Sequence, residues 1–228
     1  MKPIQIAIDG PSGAGKSTMA KLVSQKLGIM YLDTGAMYRA LALKAIRQNI
    51  DTTDSEKVTD LLSDFDIDIK YENGIQKVIL NGEDVSDKIR TDEVSMGASN
   101  VSAIPTVRKR LVELQQKIAG NTSVVMDGRD IGTHVLPNAD VKIFLTASVA
   151  QRALRRYKEQ KEKGILTKSI DEIEREIEIR DYNDSHRAAS PLKQADDAVL
   201  LDTSDYSIEE SVEKILEIIR SKGLTNAL

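Results

Sequence analysis

The chain contains no cysteine, which removes disulfides, thiolate nucleophiles and zinc–thiolate sites together. Histidine is nearly as scarce. His134 and His186 are the only two among 228 residues, and both are expected to be structural or solvent-facing. No apolar run approaches the ~20 residues needed to cross a bilayer. The opening Met-Lys-Pro-Ile-Gln leads into an apolar stretch with no charged and then hydrophobic leader, so a cytoplasmic protein without membrane contacts is the expectation. A net charge of −4 argues against a general nucleic-acid binder, although a local basic cleft is compatible with an acidic total. What remains is 40% hydrophobic and 30% charged, an ordinary globular composition. The length suits one large α/β domain carrying an insertion.

Residues 4–27 hold the strongest signal that is present. Ile4-Gln5-Ile6-Ala7-Ile8 predicts a buried strand. Gly10-Pro-Ser-Gly-Ala-Gly15-Lys16-Ser17 fits G-x-x-x-x-G-K-[ST], the loop whose backbone N–H groups wrap nucleoside triphosphate phosphates. A helix with Met19, Val23 and Leu27 one turn apart follows and stops at Gly28. Such a helix start offers unpaired N–H groups and the positive end of its dipole to an anion. Gly10, Ser12, Gly13, Ala14, Gly15, Lys16, Ser17 and Thr18 are therefore the expected ATP contacts, with Lys16 on the β- and γ-phosphates and Ser17 on Mg²⁺.

A second strand–turn–helix unit runs from Ile29 through Asp33-Thr34-Gly35, and its first helical turn is expected to expose Thr34, Tyr38 and Arg39 as a second anion site. Residues 65–90 change period: strands around 67–71 and 77–80 with Asn73-Gly74 and Asn81-Gly82 turns predict an inserted antiparallel hairpin. Residues 95–119 read as one helix with Val107, Leu111, Leu114 and Ile118 on one face and Gly120 as its stop. Ser123-Val-Val-Met-Asp127 then predicts a strand ending in an acid that helps hold Mg²⁺, followed by Gly128-Arg129-Asp130 at a rim where open α/β sheets bind ligands. Further strands are expected at 141–145 and 198–201, and a last helix from Ser207 with a capping box to Glu210. The tail 224–228 reads as frayed.

Residues 150–187 read as a polar helix hairpin. The Lys- and Glu-rich run 158–163 is a solvated face. Arg152, Arg155 and Arg156 share one face, as do Arg180, Asp184 and Arg187, with few apolar residues between them, which suggests a mobile lid over phosphate. The arginines exceed what one triphosphate needs, so a second, anionic substrate is expected. An ionised phosphate acceptor needs no base. A GTP-dependent switch is disfavoured: the chain lacks Asn-Lys-x-Asp and has no glutamine placed just after Asp127-Gly128.

GPSGAGKST, LDTGAMYRA, the hairpin insert, DGRDIGT and R-D-x-x-D-x-x-R followed by Pro191-Leu192 together resemble the bacterial cytidylate kinase family, over essentially the whole chain and in the same order. The resemblance implies an α/β, P-loop three-layer fold with a central parallel five-stranded sheet, an inserted small antiparallel β-subdomain and a helical lid. It implies a single kinase domain with core segments 1–63, 91–149 and 188–228, an NMP-binding insert near 64–90 and a lid near 150–187. The implied reaction moves phosphate from ATP with Mg²⁺ to CMP and dCMP, by a monomer with no nucleic-acid or membrane partner. Thr34, Tyr38, Arg39, Arg129 and Arg187 would surround the acceptor phosphate, with Lys16, Arg39, Arg129 and Arg187 catalytic. Arg180 and Asp184 would face the sugar, Ser99, Arg108 and Asp130 the base. Arg156 would join the ATP site, with Arg152 beside it in the lid. Thr34 stands where the family often has serine, but keeps the hydroxyl.

Overall fold

Strand β1 (Gln5–Asp9) is flanked on both sides, by β6 (Val124–Gly128) and β7 (Val141–Thr146), in parallel register. A strand so placed is covered on both faces, which is why its residues form a continuous apolar run rather than an alternation. The structure, a computed structural model, describes residues 2–72, 74–162, 164 and 166–224. Asn73 of the first expected turn, Lys163 at the end of the charged run and the tail from 225 lie outside the described residues.

The parallel sheet has five strands in the order β2-β6-β1-β7-β8, with β2 at Met30–Asp33 and β8 at Val199–Asp202, as the sequence suggests. A separate antiparallel sheet joins β3 (Ile67–Glu72), β4 (Ile75–Leu80) and the short β5 (Glu83–Asp84). The third of these strands is too short to show a period in the sequence. Gly74 and Asn81 both take positive φ, 74° and 48°, the backbone that Asn-Gly turns supply.

The chain divides into two units, 1–30 with 123–228 and 31–122. The first holds β1, β6, β7 and β8 with α1 (Lys16–Leu27), α6 (Val149–Glu162), α7 (Ile170–His186) and α8 (Ile208–Ser221). Met19, Val23 and Leu27 of α1 and Val212, Ile215, Leu216 and Ile219 of α8 are buried, as their spacing requires. The second unit holds α2 (Thr34–Arg47), α3 (Ser55–Asp60), α4 (Asp92–Ser102) and α5 (Pro105–Asn121) together with the small sheet. Its own core runs from Met37 and Leu41 through Val78, Leu80 and Val94 to Val107 and Leu111.

Two expectations need correction. The single helix expected over 95–119 is two, α4 and α5. Ile104 is extended, at φ −78° and ψ 119°, because the ring of Pro105 excludes helical backbone from the residue before it; Pro105 then opens α5, where a missing N–H costs nothing. Gly120 does not stop that helix, which continues to Asn121. The lid region also has an apolar centre of its own: Ala153, Ile173 and Ile177 are buried, with Val149, Tyr157 and Leu166 packed on them.

The capping box at Ser207 is present in both directions, with Ser207 Oγ accepting from the Glu210 amide and the Glu210 carboxylate accepting from the Ser207 amide. Ser207→Ala should cost about 1 kcal/mol and lower the midpoint of thermal unfolding by roughly 2–4 °C. An unchanged midpoint would show that the cap contributes nothing to α8.

Candidate active site

In the first unit the site is built outward from the turn that ends β1. Gly10 has φ 147°, and a Cβ on it would lie 1.9 Å from the carbonyl oxygen of Leu145 on β7, so only glycine lets the chain leave the sheet here. Gly13 and Gly15 also hold positive φ, and α1 begins at Lys16. The loop thus ends on a helix N-terminus whose first amides have no intrahelical acceptor. Gly10, Ser12, Gly13, Ala14, Gly15, Lys16, Ser17 and Thr18 all lie on this loop and the first turn of α1.

Lys16 is buried, and its Nζ donates to the Pro11 carbonyl at 2.7 Å. Burial, and after it the charge of Arg129, push its ammonium well below the ordinary pKa, against the pull of Asp127 and Asp184. Ser17 Oγ donates to Asp127 Oδ2 at 2.7 Å. The hydroxyl of the loop and the acid that ends the β6 apolar run, 110 residues apart in sequence, are thereby one group.

Past Asp127 the chain places Arg129 and Asp130 against α7. Arg129 Nε donates to Asp184 Oδ2 at 2.7 Å, and Arg187 Nη2 lies 3.7 Å from Asp130 Oδ1. Burial disfavours both charges of the first pair. The proximity of Asp184, helped by Asp127, nevertheless raises the Arg129 guanidinium, and Arg129, with Arg180 and Arg187, holds the Asp184 carboxyl below its ordinary value. Arg180 and Asp184 lie one turn apart on α7, and Arg187 caps its end, donating from Nε to Ser190 O at 2.7 Å.

The three arginines of α6 are not equivalent. Arg156 lies half-buried on α6. Arg152, expected to face a phosphate, is buried and committed elsewhere: its Nε donates to Ala147 O at 2.9 Å, its Nη1 to Ser12 O at 3.0 Å, and its Nη2 pairs with Asp181 at 2.6 Å. It ties the loop to α6 and α7. Arg155 is likewise taken up by Thr203, whose carbonyl oxygen accepts from its Nη2 at 2.5 Å.

In the second unit, Asp33 caps α2: its Oδ1 accepts from the Ala36 amide at 3.0 Å, while its Oδ2 accepts from Arg39 Nη2 at 2.6 Å. Gly35 leaves room for this arrangement, since a Cβ there would sit 3.0 Å from Arg39 Nη1 and 3.2 Å from Asp33 Oδ1. Thr34 and Tyr38, expected to be exposed, are buried; the first turn of α2 packs into the core of its own unit. Arg108 on α5 is buried too, lies 5.7 Å over the Tyr38 ring and donates from Nη1 to Ser102 O at 3.1 Å, a cation held against an aromatic face. Ser99 lies half-buried on α4, where its carbonyl oxygen accepts from Ser102 Oγ at 2.8 Å.

A model of the cytidylate kinase family matches residues 6–221. The chain belongs to the cytidylate kinase family. Curated relatives of that name are 54% identical in Lactobacillus johnsonii, over 96% of this chain and 95% of the relative, and 55% in Ligilactobacillus salivarius, over 98% and 99%. The Bacillus subtilis relative is 50% identical over 97% and 99%. More distant solved structures share the fold alone: a gluconokinase from Sinorhizobium meliloti, TM-score 0.52 at 12% identity over 97% of this chain and 95% of that one, and an uncharacterised protein from Eubacterium ventriosum, TM-score 0.51 at 14% identity over 96% and 99%.

One site residue escaped the sequence reading. Asp9 is buried at the end of β1, and its two oxygens accept from the Ile131 and Gly132 amides at 2.8 and 2.7 Å. It thereby fixes the short π-type turn Ile131–Val135 that follows Asp130. The signal was available: Asp9 ends an apolar strand just as Asp127 does, and β1 and β6 run in register with Asp9 beside Gly128. Burial lifts its pKa to about 6, the two amides pulling against that lift and the charge of Asp130 adding to it. Since the unfolded value lies near 3.8, the folded chain holds a proton that the unfolded chain releases between those values. This contribution favours the fold as pH falls through about 6. Asp9→Asn removes the titration, so the stability advantage of the wild type over this variant should be larger at pH 5 than at pH 8. Equal differences in thermal midpoint at the two pH values would show that Asp9 does not titrate in this window.

Proposed function

We propose that this chain transfers the γ-phosphoryl group of ATP to CMP, and to dCMP, giving ADP with CDP or dCDP, a step of pyrimidine nucleotide metabolism. The observation that carries the reading is what β6 delivers at its carboxyl end in a chain of this family. Asp127 meets the hydroxyl of the phosphate loop, and the next residues form buried Arg–carboxylate pairs with α7. One strand thus serves a donor triphosphate and a second anion in succession.

The backbone N–H groups of Gly10 and of residues 12–18, with the Lys16 ammonium, bind the ATP phosphates, and Arg156 reaches them from α6. Thr34, Tyr38, Arg39, Arg129 and Arg187 hold the acceptor phosphate. Arg180 and Asp184 hold the sugar, and Ser99, Arg108 and Asp130 read the base. The acceptor is an ionised phosphate oxygen, so transfer depends on alignment and on fixed positive charge rather than on a base. Both histidines are exposed; His134 Nδ1 lies against its neighbour Thr133 and His186 stacks on Tyr182. A phosphate arriving beside Lys16 and Arg129 adds a fixed anion to two cations, which favours the charged form of the lysine.

The donor set suits Mg²⁺. Ser17 and Asp127 offer a hydroxyl and a carboxylate, both hard oxygen ligands. Among the described residues no group of three or more His, Cys, Asp or Glu side chains gathers to hold a metal, which fits an ion that keeps several waters and takes its other ligands from phosphate. Bound there, it would neutralise charge on the β- and γ-phosphate oxygens. The working unit in this reading is a monomer. Among the described residues no helix is long and apolar enough to cross a membrane, which is compatible with work in the cytoplasm.

Cytosine presents an N4 amino donor beside the N3 and O2 acceptors, a match for the Asp130 carboxylate and the Arg108 guanidinium. Uracil offers O4 as an acceptor and N3–H as a donor, leaving each protein group unpaired at about 1–3 kcal/mol. A phosphotransfer assay with ATP and Mg²⁺ should therefore show fast ADP formation with CMP and dCMP, kcat/KM for UMP at least about tenfold lower, and little with AMP, GMP or no acceptor. Preference for AMP or UMP would overturn the assignment of Ser99, Arg108 and Asp130. Slow hydrolysis without any acceptor dependence would overturn the kinase reading. Asp130→Asn replaces a pure acceptor by a mixed group, and the CMP/UMP ratio should shrink toward unity; an unchanged ratio would remove Asp130 from base recognition.

A further inference from the structure

The small antiparallel sheet has no role in the chemistry described so far, yet two of its side chains end on the backbone that carries Arg39. Tyr71 on β3 and Gln76 on β4 are directly opposed in register, and opposed residues of an antiparallel pair project from the same face. Both reach the last residues of β2, which forms one edge of the parallel sheet. Tyr71 Oη donates to Tyr31 O at 2.5 Å. Gln76 Oε1 accepts from the Asp33 amide at 2.8 Å, and its Nε2 donates to the Asp33 carbonyl at 3.4 Å. A side-chain amide here grips both polar groups of one residue, as a neighbouring strand would.

The gripped residue is the one that matters for α2. The Asp33 carboxylate caps the helix through Ala36 and holds Arg39 Nη2 at 2.6 Å. Gly35 keeps the space between them clear. Arg39 Nε is buried without a hydrogen-bond partner; its guanidinium is aimed by Asp33 with one donor still to be satisfied. Burial, and after it the Asp33 charge, push the Tyr71 phenol above its ordinary pKa, so it stays a hydroxyl donor at working pH.

We propose that Gln76 and Tyr71 are positioning residues for the acceptor phosphate: the hairpin sets the place of Asp33, and Asp33 sets the reach of Arg39. This rests on the reading of Arg39 as an acceptor-phosphate ligand. The insert is then a gauge for the acceptor end of the reaction and leaves the donor end untouched, since Lys16, Ser17 and Asp127 take their contacts from other elements.

The test compares Gln76→Met, Tyr71→Phe and the double variant with Arg39→Met, reading KM for CMP, KM for ATP, kcat and thermal midpoint for each. Gln76→Met keeps the side-chain length and removes both hydrogen bonds. It should raise KM for CMP about fivefold or more, the worth of one to two hydrogen bonds, with KM for ATP within about twofold of wild type. Tyr71→Phe should act in the same direction and more weakly. A lowered thermal midpoint with KM for CMP unchanged, or equal rises in both KM values, would make the contacts merely structural and overturn the proposal. Arg39→Met separates the two layers. If it impairs CMP use while Gln76→Met behaves as wild type, the proposal alone falls. If Arg39→Met leaves CMP use unchanged, the assignment of Arg39 falls and takes the positioning role with it.

Discussion

A buried lysine next to a half-buried arginine is a state that a folded chain tolerates only with anions close by. Lys16 and Arg129 are such a pair, and the anions that the chain supplies, Asp127 and Asp184, come from β6 and α7. Asp127 also accepts from the Ser17 hydroxyl, and Asp184 accepts directly from the Arg129 guanidinium. The phosphate loop, the end of β6 and α7 are consequently held in place by one charge balance. The balance is incomplete: burial still drives the Lys16 ammonium down in pKa despite the pull of Asp127 and Asp184.

The second unit solves a different problem with the same residue type. Arg39 pairs with Asp33 and Arg108 lies over the Tyr38 ring. Each is aimed by local backbone instead, Arg39 through the cap of α2 and Arg108 through the carbonyl that ends α4 and the face of Tyr38. The break at Ile104 is what makes the second arrangement available. By ending α4 at Ser102, it leaves that residue's carbonyl outside the intrahelical ladder as an acceptor for Arg108 in the first turn of α5.

Much of this was legible in the residues because it is periodic or tied to fixed motifs. The five parallel strands announced themselves as apolar runs, the hairpin as alternation between Asn-Gly turns, and α8 by Ser207 and Glu210. The boundary between α4 and α5 was written in Pro105, but the stripe of Val107, Leu111 and Leu114 continued the earlier helical period and hid it. Arg152 shows a deeper limit: its spacing on α6 matches that of Arg155 and Arg156, and only the fold reveals that its guanidinium is consumed by Ser12, Ala147 and Asp181. Gln76 had no signal at all, since a side chain gripping backbone 43 residues away leaves no mark on hydropathy or spacing. Asp9 was readable by the rule that picked out Asp127, an acid closing a buried strand.

The apolar centre shared by α6 and α7 bears on how this part of the chain can move. Ala153, Ile173 and Ile177 pack on one another between the two helices, whereas Arg152 and Arg129 reach across to the phosphate loop and to α7 through polar contacts. Hydrogen bonds and ion pairs can be traded for water or for phosphate oxygens at little net expense, while oily contacts cannot. The interior of the helical hairpin therefore does not depend on its polar contacts with the loop, and exchange of those contacts would leave it intact.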